Sequence, residues 1–512
     1  MVFRILETGR TAWCEKDVAL AGLLVDGDDF FKAFYDAALG ARRSILLSGW
    51  QFDSDVALLR GTDAERAELP TTLKKFLNAL CERNPQLEIH MLAWDFHMVF
   101  ALEREWMQRL VFEWTTHERF HFRFDSSHVD KGCHHQKFVV VDGNLSFLGG
   151  LDLADHRWDQ RSHRDDEPRR VSRGEPHKPF HDIQTYLVGR DVGKALEDLF
   201  TCRWKLAGGD PFDPATDELP APAEYRPCGA HVLPATRVGL SRTDPQSSPC
   251  GTPEKEGPCH EVVDLYMAAI AAAERSIYVE TQYFSSQKIG EALVNRLREQ
   301  GRAALDVVLV LNMQAETMKE QLAVGLAQAK VLSDVRDAAK DTSHHLGVYY
   351  TVPASKDGQE PERATYIHAK LMIVDDQFLN VGSANLTNRS TSVDTELNAT
   401  YEADAHDGPL RGSIQRFRLG LLAEHLGDPD GTLSFDHGRV AALDDRATRR
   451  EGRLRMHPSP TERERQVLTV IDPQALPFDP HAVEDDEEGR SFFARGVGSL
   501  WRTLFSNRDD RK

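Results

Sequence analysis

Internal repetition constrains this chain more than any other feature of its sequence. The segment Ala41-Arg42-Arg43-Ser44-Ile45-Leu46-Leu47 is matched by Ala273-Glu274-Arg275-Ser276-Ile277-Tyr278-Val279. Further on, His135-Gln136-Lys137-Phe138-Val139-Val140-Val141-Asp142 is matched by His368-Ala369-Lys370-Leu371-Met372-Ile373-Val374-Asp375. Ser44 and Ser276 lie 232 positions apart and His135 and His368 lie 233 apart, so two independent matches share almost one offset. That period is far longer than a solenoid repeat and describes two domain-sized units. In each copy a helical pattern ending in Ala-x-Arg-Ser runs into an apolar strand, and residues 87–94 and 305–311 supply a further strand-like run. Strands alternating with helical stretches predict an α/β fold. The expected architecture is two packed α/β sandwich repeats related by a pseudo-twofold axis, with the site at their interface.

Composition narrows the field. Of 512 residues, 41% are hydrophobic, enough for buried cores, and 62 Lys and Arg against 81 Asp and Glu leave a formal charge of −19. A strongly acidic chain is a poor coat for nucleic acid, because nonspecific phosphate binding rests on clustered Lys and Arg. The seven cysteines form no CxxC pair and no ligand-like Cys/His spacing, so free thiols in a reducing compartment are expected. Charged residues from Glu7 to Asp17 interrupt any signal-like apolar core. No stretch approaches the ~20 apolar residues of a membrane span. A cytoplasmic or peripheral-membrane protein is expected, and export by a route independent of a signal peptide would leave the same sequence.

Each His-x-Lys sits at the mouth of an apolar strand, where residues i and i+2 share a face. His135 and Lys137 therefore project together, as do His368 and Lys370. A Lys at the edge of a core needs an anion or carboxylate to compensate it. Packing the two halves face to face would gather two imidazoles and two ammonium groups, a set suited to a phosphodiester. The ammonium groups would neutralise the nonbridging oxygens. One imidazole would attack phosphorus while the other protonates the departing alcohol; the residues alone leave open which does which.

At this level of detail the chain resembles the phospholipase D superfamily, defined by paired HKD motifs. Cys133-His134-His135-Gln136-Lys137, with Leu148-Gly149-Gly150-Leu151-Asp152-Leu153 and His156-Arg157-Trp158-Asp159, looks like the first catalytic region of the eukaryotic-type enzymes. The segment from Ser276 to Phe284 is similar to their IYIENQYF segment, and Tyr366-Ile367-His368-Ala369-Lys370 with Gly382-Ser383-Ala384-Asn385-Leu386 resembles the second region. The resemblance, from about residue 30 to 430, implies specific roles. His135 would be the nucleophile that forms a phosphohistidine. His368 would protonate the leaving headgroup and then deprotonate the water or alcohol that resolves the intermediate. Lys137, Lys370 and Asn385 would bind the phosphate oxygens. Asp182 and Glu396 match the carboxylates that orient the two imidazoles. Asp142 and Asp375 are read as structural, holding the loop beyond each strand. No cofactor is implied, and the chemistry requires no metal.

The implied activity is a monomeric phospholipase D that acts on glycerophospholipids at a membrane surface, releases phosphatidic acid and exchanges alcohols. A cardiolipin-synthase-like phosphatidyltransferase, a nuclease of the same superfamily and a noncatalytic lipid-binding scaffold are the alternatives; no nucleic acid partner is expected. With about 30 residues ahead of the resemblance, the calcium- and phosphoinositide-binding modules of many eukaryotic relatives are expected to be missing. That points to a bacterial source and leaves membrane recruitment to the catalytic face, the tail or a partner.

Domain boundaries are expected at 1–225 for the first repeat, 226–435 for the second and 436–512 for a charged tail, with the join in the Pro-, Gly- and Ser-rich stretch 220–258. In the tail, Phe493, Val497, Leu500, Trp501 and Leu504 recur at helical spacing with Arg495 and Arg502 among them. A docked terminal helix and a membrane-surface helix both fit that pattern. His134 points to the strand face opposite His135 and is read as a packed or hydrogen-bonded side chain. The basic insertion 161–178, with Arg164, Arg169, Arg170, Arg173, His177 and Lys178, is read as a solvated loop or a contact for anionic lipid.

Overall fold

The computed structural model describes residues 4–459 other than 96–111, 113–115, 130–131, 215–224, 247–249, 251–256, 314–317, 341, 355–360, 362, 405–406 and 429–438. The proposed terminal helix of the tail lies outside the described residues.

The strand residues are apolar on both faces because both faces are covered, the pattern of a doubly buried sheet. In Phe138–Val141, Phe138 and Val140 pack into one cluster and Val139 and Val141 into another. Lys370–Val374 divides likewise, with Leu371 and Ile373 on one side and Met372 and Val374 on the other. A register slip of one residue would exchange these sets, so packing on both faces pins the pairing.

The described strands assemble into two large sheets. The first runs in the order His231–Leu233, Leu20–Val25, Ile183–Val188, Leu145–Gly149, Phe138–Val141, Ser44–Gly49, Glu88–Trp94, Phe120–Asp125. The main path of the second is Cys14–Asp17, Arg237–Asp244, Glu396–Glu402, Phe378–Gly382, Lys370–Val374, Ser276–Thr281, Asp306–Leu311, His345–Thr351, Leu454–Met456. From Leu20–Val25 onward in the first and Arg237–Asp244 in the second, corresponding strands follow one another in the same order. Ser44–Gly49, Glu88–Trp94 and Phe120–Asp125 are parallel in the first sheet, as are Ser276–Thr281, Asp306–Leu311 and His345–Thr351 in the second, and the other pairings along these orders are antiparallel. The duplication read from the sequence is thus a duplication of topology.

The central core contains side chains from both sheets, such as Leu46, Val140, Leu148 and Leu187 with Leu371, Ile373, Leu379 and Tyr401. Asp26–Leu39 and Leu73–Arg83 cover the other face of the first sheet, and Glu261–Ala272 and Gln287–Arg298 that of the second. The chain trades edge strands between the halves. Cys14–Asp17 pairs with Arg237–Asp244 in the second sheet, and His231–Leu233 pairs with Leu20–Val25 in the first. Leu454–Met456, far along the chain, closes the second sheet against His345–Thr351. No helix among the described residues is long and apolar enough to cross a membrane.

One expectation about the cysteines is corrected. Cys202 and Cys250 form a disulfide with Cα atoms 5.7 Å apart. Their 48-residue separation carries no local signal; the fold brings the end of helix Arg190–Leu206 beside the loop that holds Cys250. Cys14, Cys81, Cys133, Cys228 and Cys259 form no disulfide.

Candidate active site

Short strands reach across between the halves. Phe180–His181 pairs in parallel with Tyr366–Ile367, and the His368 amide donates to the His181 carbonyl at 2.7 Å. On the other side His134 bridges Thr395 in parallel, with the His135 amide donating to the Thr395 carbonyl at 3.0 Å. Each histidine motif is therefore stitched by backbone hydrogen bonds to the segment of the opposite half that carries a carboxylate.

The side chains cross accordingly. His135 Nδ1 lies 3.0 Å from Glu396 Oε2, and His368 Nδ1 lies 2.5 Å from Asp182 Oδ2. Both carboxylates are fully buried, whereas the His135 and His368 side chains keep 16% and 9% exposure. With Nδ1 committed to a carboxylate, the tautomer assigned by this network leaves Nε2 of each ring for chemistry. Ser383 Oγ donates to Glu396 Oε2 at 2.5 Å. Asp182 is reached through Gly150, where an added Cβ would lie 2.3 Å from Asp182 Oδ1, so no larger residue fits there.

Both lysines are buried, and each donates to the carbonyl of its own histidine two residues back. Lys137 Nζ reaches His135 O at 3.2 Å and Asp152 Oδ2 at 3.4 Å. Lys370 Nζ reaches His368 O at 2.5 Å and Gln282 Oε1 at 3.2 Å. Asn385 Nδ2 sits 3.4 Å from the same Gln282 oxygen, while its buried Oδ1 makes no hydrogen bond. The six residues expected at the site from the HKD reading, with Asn385, fall into two groups of contacts, each built from both halves: His135, Lys137 and Glu396 in one, His368, Lys370, Asp182 and Asn385 in the other, with the charges of Lys137 and His135 acting on His368.

Electrostatics distinguish the two pairs. Burial and the nearby charges of Lys370, Arg157 and Lys137 hold His368 well below the usual imidazole range. Burial pushes Asp182 up to about 7, with Lys370 pulling the other way. Burial likewise brings Lys370 down to about 7 against the pull of Asp182. The Asp182–His368 pair accordingly holds one proton in its hydrogen bond and resists a second. A bound anion would oppose the cations and favour the imidazolium. Paired imidazoles with buried ammonium groups can deliver a nucleophile and an acid to one phosphorus centre.

Asp142 and Asp375 stand apart from this group. Asp142 accepts from the amides of Arg42, Arg43 and Ser44 at 2.8 to 3.0 Å, and Asp375 from those of Glu274, Arg275 and Ser276 at 2.7 to 2.8 Å. Each ties the turn after its motif strand to the start of the neighbouring strand, explaining why Ala-x-Arg-Ser and the motif repeat together. His134 is 1% exposed, with contacts to Thr395 Oγ1 at 3.0 Å and Asp125 Oδ1 at 3.1 Å. The basic insertion is less basic than its sequence: Arg164 pairs with Asp166 and Arg169 with Glu167, while Arg170, 3% exposed, bonds Asp159. Arg170 is a buried structural group because the loop folds back on it, contrary to both surface readings.

Sequence reasoning passed over Asp152, Gln282, Ser383 and Arg157 as site residues. Asp152 carries a usable signal, because it lies 233 positions before Asn385, the offset of the two histidines. The other three occur in the segments that carry the family resemblance, but only the fold shows what they touch.

A fold of two topologically matched sheets sharing a two-histidine, two-lysine site defines the class, and comparison with known proteins agrees. Residues 266–410 match the family described as cardiolipin synthase, PLD-like domain. Phospholipase D alpha 1 of Carica papaya is 25% identical, the alignment covering 78% of this chain and 64% of that enzyme. Phospholipase D alpha 1 of Zea mays is also 25% identical, covering 79% and 65%. The chain thus spans a little under two thirds of the length of these plant relatives. Among solved structures, phosphatidylserine synthase of Haemophilus influenzae Rd KW20 shares the fold with a TM-score of 0.51 at 12% identity, covering 80% of this chain and 87% of that one. Together these matches support membership of the phospholipase D superfamily.

Proposed function

We propose that the protein cleaves the headgroup phosphodiester of glycerophospholipids and transfers the phosphatidyl group to water or an alcohol. The observation that carries this reading is the crossed pairing of His135 with Glu396 and His368 with Asp182. In the first step His135 Nε2 attacks phosphorus, the N–P bond forms as the P–O bond to the headgroup breaks, and protonated His368 gives its proton to the departing oxygen. In the second, His368 takes the proton of an incoming water or alcohol, whose oxygen attacks phosphorus as the N–P bond breaks. Lys137, Lys370 and Asn385 hold the nonbridging oxygens, whose charge must stay stabilised through both steps. The assigned nucleophile is His135, the more exposed ring and the one the family resemblance implies; burial and the cations around His368 lower its pKa, so the bound phosphate must favour the imidazolium for it to act as the acid. The names of the plant relatives support phospholipid as the substrate class.

A second reading, a phosphatidyltransferase whose acceptor is a lipid hydroxyl, is favoured by the family description matched at 266–410. One experiment separates them. The protein and its His135→Ala variant are incubated with vesicles of phosphatidylcholine, phosphatidylethanolamine and phosphatidylglycerol, with and without a short primary alcohol, and the lipids are resolved by mass spectrometry. The expected product is phosphatidic acid, replaced by a phosphatidylalcohol when alcohol is present and reduced at least about 10³-fold in the variant. Cardiolipin as the main product selects the transferase. Absence of any new phospholipid from all headgroups overturns both readings.

A further inference from the structure

Behind Asp182, and outside the reacting groups, lies a second cluster of ionisable side chains. His163 Nε2 is 3.3 Å from Asp26 Oδ2 and 3.0 Å from Glu424 Oε1. His181 Nδ1 is 3.0 Å from Asp26 Oδ1 and 3.1 Å from the same Glu424 oxygen. All four residues are buried, and one ligand atom from each lies within 4.8 Å of the others. Asp26, His163 and His181 have no exposure at all.

We propose that Asp26, His163, His181 and Glu424 form a binding site for a structural divalent cation of the zinc type. Three independent features of the geometry carry it. First, four contacts of 3.0 to 3.3 Å join the imidazoles and carboxylates alternately, Glu424 through Oε1 alone and Asp26 through Oδ2 to His163 and Oδ1 to His181, and one donor atom from each residue lies within 4.8 Å of the others. A tetrahedral zinc with bonds of about 2.0–2.1 Å has ligand–ligand edges of roughly 3.3 Å. Second, His181 Nδ1 and Asp26 Oδ2 are buried and make no hydrogen bond although oppositely polar atoms lie within reach. Buried polar atoms left without a hydrogen bond in this way each keep a lone pair that an ion can accept. Third, the far nitrogen of each imidazole meets a further buried carboxylate: His163 Nδ1 with Asp159 Oδ2 at 2.9 Å, and His181 Nε2 with Glu280 Oε2 at 2.8 Å. Metal-bound histidines are oriented in this way by an outer carboxylate.

Charge agrees with the assignment. Of the four carboxylates around the two rings, Glu424 and Asp159 are paired with Arg161 and Arg170, leaving Asp26 and Glu280 to be balanced, Glu280 also meeting His425 Nε2 at 2.8 Å, an imidazole whose pKa burial lowers. One dication between neutral imidazoles does this. The rival state balances the same charges by doubly protonating both rings, so ion binding displaces two protons. The site joins segments from both halves, with Glu424 on helix Gly408–Leu426. It also bears on Asp182, because the Asp182 amide donates to Asp26 Oδ1 at 3.1 Å and His181 precedes it in the chain. The ion would stiffen the mounting of the Asp182–His368 pair and take no part in bond making, so the inference stands whatever the substrate proves to be.

The test is elemental analysis of the whole protein, expressed with added zinc and passed through gel filtration with a mild chelator. The expected result is about one zinc per chain, intense tetrahedral absorption after replacement by cobalt(II), and loss of the metal in His163→Ala. Should that variant fail to fold, Glu280→Gln keeps all four ligands and is expected to bind zinc about 10- to 100-fold more weakly in chelator competition. Less than a tenth of an equivalent in the wild type after reconstitution with zinc, with an unfolding midpoint indifferent to zinc and chelator, overturns the proposal in favour of the two-proton state.

Discussion

Asp182 and Glu396 serve opposite histidines from different surroundings, and single residues separate their contributions. Asp182 is fully buried against a ring that burial and nearby cations keep from charging, so Asp182→Asn removes the counter-charge at Nδ1 and can present the wrong tautomer. The expected loss is about 10³- to 10⁴-fold in kcat with the fold retained, measured by headgroup release and circular dichroism. Ser383 acts at one remove, through its hydrogen bond to Glu396. Ser383→Ala should lower kcat about tenfold, the value of one hydrogen bond to a charged acceptor. Losing that donor frees Glu396 to turn and loosens its hold on His135, so kcat should fall while KM holds, and Ser383→Thr should restore it. A loss of folding stability with kcat unchanged would assign Ser383 to packing instead. At this scale the histidines and lysines were legible in the sequence because each sits in a repeated segment, and the carboxylates only through the family resemblance. Gln282 was not, since its contact with Lys370 and Asn385 joins three strand ends distant in the chain.

Among elements, helix Arg190–Leu206 holds the first motif from below. Arg203 bonds Asp125 at 2.9 Å, Ser48 Oγ at 2.9 Å and Gln136 Oε1 at 3.1 Å, and Asp125 in turn meets His134. Burial raises the Asp125 pKa, but Arg203 and His134 outweigh it and hold the carboxyl below its ordinary range. The unfolded chain therefore binds more protons, and this contribution is present above the usual carboxylate pKa and lost as pH falls toward the folded value. Removing the cation strands a buried charge. Arg203→Ala should cost about 3–5 kcal/mol in denaturant unfolding at neutral pH, and Arg203→Ala with Asp125→Asn should cost less than the two changes summed. Strict additivity would refute the coupling. The strands themselves were legible from apolar runs, as in Phe138–Val141. The two-residue pairing of Phe180–His181 with Tyr366–Ile367 was not, because it is too short to have a periodicity.

For the whole molecule, the disulfide is the clearest case of a link that local pattern hides. Closing 48 residues between Cys202 and Cys250 should contribute about 2–4 kcal/mol. Cys202→Ser is expected to lower the unfolding free energy by that amount, and thiol titration of the wild type in denaturant should count five groups before reduction and seven after. Seven before reduction would show the bond absent. The traded edge strands Cys14–Asp17 and His231–Leu233 are the same kind of fact at larger scale. Composition and spacing by themselves determined the duplication, the α/β layering and the two His-x-Lys pairs, because apolar periodicity and short motifs are written in neighbouring residues. Tertiary structure alone decided that each histidine leans on the opposite half's carboxylate, that Arg170 is buried, and that two histidines and two carboxylates meet behind Asp182. Those outcomes depend on which surfaces meet when two sheets share one core, and no local stretch of chain encodes that meeting.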